Sequence, residues 1–339
     1  MRSRARLHAR RWRSAAPNEM ILLMDLIKRL GISIMAMTAT AKQGSERMGF
    51  EPSMQENAPL LGAGVLRRDS LTSLAAAAMG YTLAAGPVRA GVIKTGTEGL
   101  SAGAATIPVS GAEMPAYYAR PKGAAKPPVI LVAMEVFGLH EHIKDVTRRL
   151  GALGAFAVAP DIYFRLGDLT QITQPAQLMP LVNSKPDREL FSDLDATVAW
   201  AGLQGGDTNR LGIIGFCRGG RTVWLYAAHN ASLKAGVAFY GSLMDPPSAA
   251  MPKNAFDLAT EVKAPMLGLY GAEDASIPPD QVEAMKEKLE AAGKTAKFKI
   301  YPGAGHGFFA DYRQSYRADV AQDAWMTMQA WFKKYGVLD

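Results

Sequence analysis

The chain has 339 residues, 48% of them hydrophobic and 20% charged, a globular composition that excludes fibrous and disordered classes. Its net charge of +7 does not mark a nucleic-acid binder, because residues 1–90 carry 13 Lys/Arg against 6 Asp/Glu while residues 91–339 carry 25 of each sign. The single cysteine, Cys217, excludes an intrachain disulfide and any zinc site built on several cysteines.

The first ninety or so residues read as an address rather than as fold. Arg2, Arg4, Arg6, Arg10, Arg11 and Arg13 form a basic arm. The apolar run over 20–41 is broken by Asp25, Lys28 and Arg29 and makes a poor membrane span. Arg67-Arg68 precede an uncharged, alanine-rich stretch over 71–85, and Val88-Arg89-Ala90 follows as a cleavage-like end. That order resembles a twin-arginine export signal over 67–90, with Leu66 and Ser70 departing from the usual pattern. The expectation is a periplasmic or exported protein, with a cytoplasmic one as the alternative. Signals of this kind do not normally begin so far into a chain, which points to translation from Met48 or Met54. The leader, 1–90, is therefore set apart from a body over 91–339.

From about residue 100 strands and helices alternate. Ala116–Ala119 reads as a short strand. Residues 128–134 (PVILVAM) form a continuous apolar run, as expected of a strand buried on both faces. Glu141–Leu153 has helical spacing, with Ile143, Val146, Leu150 and Leu153 on one face. Ala155–Ala159 is a second buried strand, and Asp193–Leu203 a helix striped by Leu194, Val198 and Ala201. Further strands follow at Leu211–Ile214, Ala235–Phe239, Met266–Tyr270 and Lys297–Tyr301. Helices are expected over Gly219–Ala228, Pro279–Ala292 and Val320–Tyr335. This alternation predicts an α/β protein with a mostly parallel sheet covered on both faces, whose ligands bind beyond the carboxyl ends of the strands. Neither a dinucleotide-binding GxGxxG after the first strand nor a phosphate loop is present, so no cofactor is expected.

The chemistry concentrates in three stretches. Residues 210–221 (RLGIIGFCRGGR) run from a strand through Gly215-x-Cys217-x-Gly219 into a helix. This is the nucleophile-elbow pattern with cysteine in the place of serine. The turn is tight enough that side chains two residues on either side would collide, hence the glycines. The sulfur then stands at a helix N-terminus, where the dipole favours negative charge, and the backbone N–H of Arg218 can serve a developing oxyanion. Asp274 follows the strand Met266–Tyr270, and His306 follows the strand Lys297–Tyr301. Nucleophile, acid and base thus come in hydrolase order, each just after a strand. Glu273 is the neighbouring rival to Asp274, which is preferred for its place beside the turn over 275–279. His140 and His142 flank a helix start without a third metal ligand and are expected in surface or capping roles. His229 ends the helix after Cys217, where a cation suits the dipole. Glu135, directly after the buried strand, is an unusual place for a carboxylate without a partner, and one use for it is to hold the thiol at rest.

Together, EVFGLHEHIKD, APDIYFR, GFCRGG, LYGAEDASIP and GAGHGFF resemble the dienelactone hydrolase (carboxymethylenebutenolidase) family over residues 104–336. The resemblance implies an α/β-hydrolase fold without a large cap and a Cys217–His306–Asp274 triad. It implies that Glu135 contacts the resting cysteine, and that the N–H groups of Val136 and Arg218 form the oxyanion hole. It also implies arginines that hold a substrate carboxylate, one of them four residues after the histidine. Ala310 occupies that position here, with Arg313 and Arg317 nearby, and Arg218 stands where an aromatic often follows the nucleophile.

A thiolate is a good leaving group, so an ordinary alkyl ester tends to expel it again, whereas an enol ester or lactone loses its enolate. The expected partner is therefore a small activated ester or lactone, opened through a thioacyl-enzyme. Alternatives are a general carboxylesterase or thioesterase on the same residues, or a non-catalytic redox sensor built on one exposed cysteine. The oligomeric state is left open.

Overall fold

The computed structural model describes residues 92–339. The expected leader, its twin-arginine-like signal and the candidate starts Met48 and Met54 lie outside the described residues. Eight strands form one sheet: β1 Leu100–Val109, β2 Ala112–Pro121, β3 Pro128–Ala133, β4 Phe156–Pro160, β5 Asp207–Phe216, β6 Ala235–Phe239, β7 Met266–Gly271 and β8 Ala296–Tyr301. Six helices of ten residues or more accompany them among the described residues: α1 Glu141–Ala152, α2 Pro175–Ser184, α3 Asp187–Leu203, α4 Arg218–His229, α5 Pro279–Ala291 and α6 Ala318–Lys334.

The strand order is β1-β2-β4-β3-β5-β6-β7-β8. From β4 to β8 every pairing is parallel, and β1–β2 and β2–β4 are antiparallel. Every residue of β3, β4, β6 and β7 is buried, which in a sheet with alternating side chains means that both faces are covered. Helix α1 packs on β2 and β4, α3 on β1, β3 and β4, α4 on β5 and β6, and α5 on β8. Among the described residues the longest excursions from this framework, 161–186 and 240–265, hold only short helical turns and α2, so no large cap covers the sheet edge. None of the described helices is long and apolar enough to cross a membrane.

The sequence reading finds the parallel strands and misjudges the antiparallel edge. The segment LSAGAATIPV has neither an apolar run nor strict alternation, yet it forms β1 by pairing over its full length with β2. That pairing also extends β2 well beyond the four residues expected. Helix α2, with Pro180 inside it, was not expected, and α3 starts at the polar Asp187, six residues before the expected start at Asp193.

The turn between β5 and α4 fixes where the sulfur stands. Cys217 has φ 54° and ψ −116°, a left-handed backbone that costs a non-glycine residue about 1–3 kcal/mol. The surroundings hold it there. The Cys217 N–H donates to the Phe239 carbonyl at 3.0 Å, and the first turn of α4 lies against the end of β3. A Cβ on Gly219 would stand 2.0 Å from the Ala133 carbonyl oxygen, and one on Gly215 would stand 2.2 Å from the Gly219 carbonyl oxygen. The two glycines are required by contact with each other and with β3.

Gly219→Ala is therefore expected to cost about 3 kcal/mol or more, because backbone rather than a flexible side chain blocks the added carbon. Gly103→Ala, where nothing lies within 4 Å of the new atom, should stay within about 0.5 kcal/mol of the parent. Urea unfolding of the two variants checks both; equal stabilities would refute the contact argument.

Candidate active site

The carboxyl ends of the parallel strands bring the chemistry-bearing side chains to one edge of the sheet. β3 leads into Glu135 and Val136, β5 into Cys217, β6 into Tyr240, β7 into Asp274 and β8 into His306. All are buried except His306, whose side chain keeps 9% exposure.

Asp274 is fixed by the turn that carries it. Its Oδ1 accepts from the N–H groups of Ser276 at 2.9 Å and Ile277 at 3.2 Å, and its Oδ2 lies 2.7 Å from His306 Nδ1. An ionised carboxylate only accepts, so the ring carries its hydrogen on Nδ1 and donates it. That leaves Nε2 as the ring nitrogen open to Cys217, which lies within electrostatic reach of the ring. Burial would pull the His306 pKa down. The attraction of Asp274 and then of Cys217 outweighs burial and raises it to about 10. Glu273 is exposed, so of the two neighbouring acids it is Asp274 that meets the histidine.

Glu135 is fully buried behind this pair. The Tyr312 hydroxyl donates to its Oε2, Arg313 donates to Oε1 at 3.4 Å, and His140 Nε2 lies 3.3 Å from Oε2. Burial alone would raise its pKa, but the Arg313 guanidinium, followed by His140, holds it well below the usual carboxylate range. Tyr240 and Arg313 each lie within electrostatic reach of both Glu135 and Cys217. Tyr240 has φ 37°, its ring stands edge-on to His306 at 5.1 Å, and its hydroxyl is buried without a hydrogen-bond partner.

The two candidate oxyanion residues are buried, Val136 beyond β3 and Arg218 as the first residue of α4. The Arg218 guanidinium bonds the Met251 sulfur and the Tyr163 hydroxyl and stands 3.9 Å from Asp245 Oδ2. Beside it Arg221 grips Asp187 with two bonds of 2.8 and 3.0 Å.

The histidines before α1 depart from expectation. His142 is 1% exposed and its Nδ1 lies 2.9 Å from Asp311 Oδ1. His140 is the N-cap residue of α1, yet its side chain makes no capping bond and faces Glu135 instead. The start of α1 is tucked against the 306–317 loop rather than turned to water, because the buried Glu135 and Asp311 need partners there. Among the described residues no group of three or more His, Cys, Asp or Glu could hold a metal ion. Of the arginines after His306, Arg313 is buried on Glu135, whereas Arg317 bonds the Gly303 carbonyl and Asp319 at the surface. Tyr312 and Tyr240 were missed from sequence. The polar trio Asp311-Tyr312-Arg313, so soon after a glycine-flanked histidine, was the available signal for the first.

The profile of the dienelactone hydrolase family matches residues 114–336. The chain belongs to the dienelactone hydrolase family. It is 54% identical to a provisionally named carboxymethylenebutenolidase of Methylorubrum extorquens, over 77% of this chain and 90% of the relative. It is 49% identical to a protein of the same provisional name from Escherichia coli K12, over 76% and 96%. A crystal structure of a provisionally assigned dienelactone hydrolase from Klebsiella pneumoniae superposes with TM-score 0.68 at 50% identity, covering 70% of this chain and 99% of that one. The family assignment makes this an α/β-fold hydrolase acting on esters or lactones, hence on a small-molecule substrate.

The raised His306 pKa has a definite sign. A histidine held charged adds stability that is fully present below its ordinary value of 6.5 and is lost as pH rises through about 10. The ring is therefore expected to remain imidazolium through neutral pH and to titrate near 10, and Asp274→Asn should bring that titration down. Ring-nitrogen NMR across pH 5–11 reads it. A wild-type midpoint near the ordinary value would show that the two neighbours do not hold the charge.

Proposed function

We propose that this hydrolase opens enol esters or lactones with Cys217 as nucleophile, His306 as acid and base, and Asp274 as the group that orients the ring. One observation carries the reading: a cysteine in a strained elbow lies within electrostatic reach of an imidazole whose Nδ1 stands 2.7 Å from a buried aspartate.

The steps follow from those roles. The sulfur, its proton held by His306, attacks the carbonyl carbon and forms a tetrahedral oxyanion. The N–H groups of Arg218 and Val136 serve that oxyanion, Arg218 with the added help of the α4 dipole. The ring C–O bond breaks, the enolate leaves, and His306 returns the proton to it. A thioester on Cys217 remains. Water, deprotonated by His306, attacks it; the C–S bond breaks and the free carboxylate departs. The enol product relaxes to its keto form. Sulfur suits this substrate class because an enolate leaves more readily than an alkoxide, and so competes with expulsion of the thiolate.

Glu135 takes the part of a fixed negative wall. The Arg313 guanidinium and the Tyr312 hydroxyl hold its carboxylate in place, so it can stand against the resting cysteine without itself taking a proton. With Arg313 so engaged, carboxylate recognition of the kind found in the family would fall to another cation, and Arg218 is the buried one next to the nucleophile. The 1% exposure of Cys217 weighs against a redox sensor, which needs an accessible sulfur. Export of the body is supported by the twin-arginine-like order over 67–90; N-terminal sequencing that found Met1 on the native protein would count against it.

Intact-mass spectrometry after a slow aryl ester tests the mechanism. An acyl adduct on Cys217 is expected in the wild type and none in Cys217→Ala. Asp274→Asn should lower kcat by about 10⁴-fold. Enol lactones and aryl esters should be turned over faster than thioesters, alkyl esters and amides. A fully active Cys217→Ala would end the reading, and a preference for thioesters would shift it to a general thioesterase.

A further inference from the structure

Residues 92–95 run ahead of β1 as a strap, and two of their backbone N–H groups end on buried carboxylates. Ile93 N–H donates to Asp311 Oδ2 at 2.9 Å, and Thr95 N–H donates to Asp145 Oδ1. The two acceptor side chains are 2% and 0% exposed. Hydrophobic burial does not hold the strap at this point, because the Ile93 side chain is 42% exposed. Its backbone donors do.

Asp311 ties its own loop to two other elements, the strap and α1. Besides the strap, it takes the Nδ1–H of His142 on Oδ1 at 2.9 Å and faces the Arg149 guanidinium at 3.5 Å, both from α1. Asp145, on the same helix, pairs with Arg149 at 2.6 Å and Arg148 at 3.3 Å. Two buried carboxylates thus meet two arginines, one histidine and two backbone donors. Such a set is stable only while its members stay paired.

Chain continuity links this cluster to the active site. Asp311 directly precedes Tyr312 and Arg313, whose side chains grip Glu135. The His142 ring packs against Tyr312 at 5.4 Å and against Phe309 at 5.9 Å. His306 lies on the same loop. We propose that Asp311 is a positioning residue of the hydrolase site and that the strap 92–95 holds it in place, so that the loop carrying His306, Tyr312 and Arg313 stays seated on Glu135. The strap is then part of the machinery although none of its side chains reaches the sulfur. This rests on the role proposed for Cys217.

The test uses the full-length protein. Ile93→Pro removes the N–H that Asp311 accepts and leaves every active-site side chain in place; Ile93→Ala keeps the N–H. Asp311→Asn keeps the shape and removes the charge. Three readouts are taken: kcat and KM on an aryl ester, the rate of Cys217 alkylation by iodoacetamide, and the melting temperature. Ile93→Pro and Asp311→Asn should each lower kcat by about 10-fold with KM little changed and alter the alkylation rate, while Ile93→Ala behaves as wild type. A folded Ile93→Pro with wild-type kcat and alkylation rate overturns the proposal, as does an equal loss in Ile93→Ala. If Ile93→Pro fails to fold, Asp311→Asn decides, and unchanged kcat overturns it. Turnover surviving in Cys217→Ala would instead sink the nucleophile reading, a different outcome that the alkylation rate does not depend on.

Discussion

No side chain can stand at position 219, because its Cβ would lie 2.0 Å from the Ala133 carbonyl oxygen. That contact brings the N-terminus of α4 against the end of β3 and leaves Cys217 no ordinary backbone conformation between them. The strain is offset by what surrounds it: a fully buried β3, the Cys217 N–H on the Phe239 carbonyl, and α4 packed on β5 and β6. Everything at the sheet edge is measured from this point. Cys217 and His306 come to one edge because β5 and β8 end on the same side of a parallel sheet, and the elbow lifts Cys217 out of the strand's alternation.

The sheet edge and the loop beside it carry buried carboxylates. Asp274, Glu135 and Asp311 are all buried, and each is answered by a specific donor set rather than by solvent. Asp274 has two backbone N–H groups and the His306 ring. Glu135 has Tyr312 and Arg313. Buried carboxylates are expensive, and their persistence depends on donors that cannot swing away. The backbone donors to Asp274 come from a turn, and those to Asp311 include the strap, so in both cases rigid chain does part of the holding.

Much of this was legible in the sequence, for particular reasons. β3, β6 and β7 are short apolar runs that only a two-sided burial explains, and their bounds are read to within a residue. The glycines at 215 and 219 carry the elbow on their spacing alone. What was not legible depends on partners distant in the chain. β1 is a strand only because β2 lies beside it, and nothing in LSAGAATIPV says so. His142 looks like a surface residue at a helix start until Asp311, far along the chain, comes to meet it. Arg313 could not be told from Arg317 by spacing. The fold separates them, one buried on a carboxylate and the other at the surface.

The position of Arg313 bears on specificity. The family pattern implied an arginine at the site of Ala310, and the chain instead brings one in from a little further along the same loop. In this structure its guanidinium lies on Glu135, and its interaction there is the strongest opposite charge on that carboxylate. A cation already neutralised by an internal partner attracts a substrate anion weakly, since binding would have to break a buried pair. Meanwhile Arg218 brings a second guanidinium to the start of α4, steadied by Met251, Tyr163 and Asp245. In the proposed reading, the charge offered to a substrate anion is therefore that of Arg218 rather than of Arg313. On that same reading, selectivity among enol lactones is set by how far the Arg218 side chain can turn from those three partners toward the acyl group.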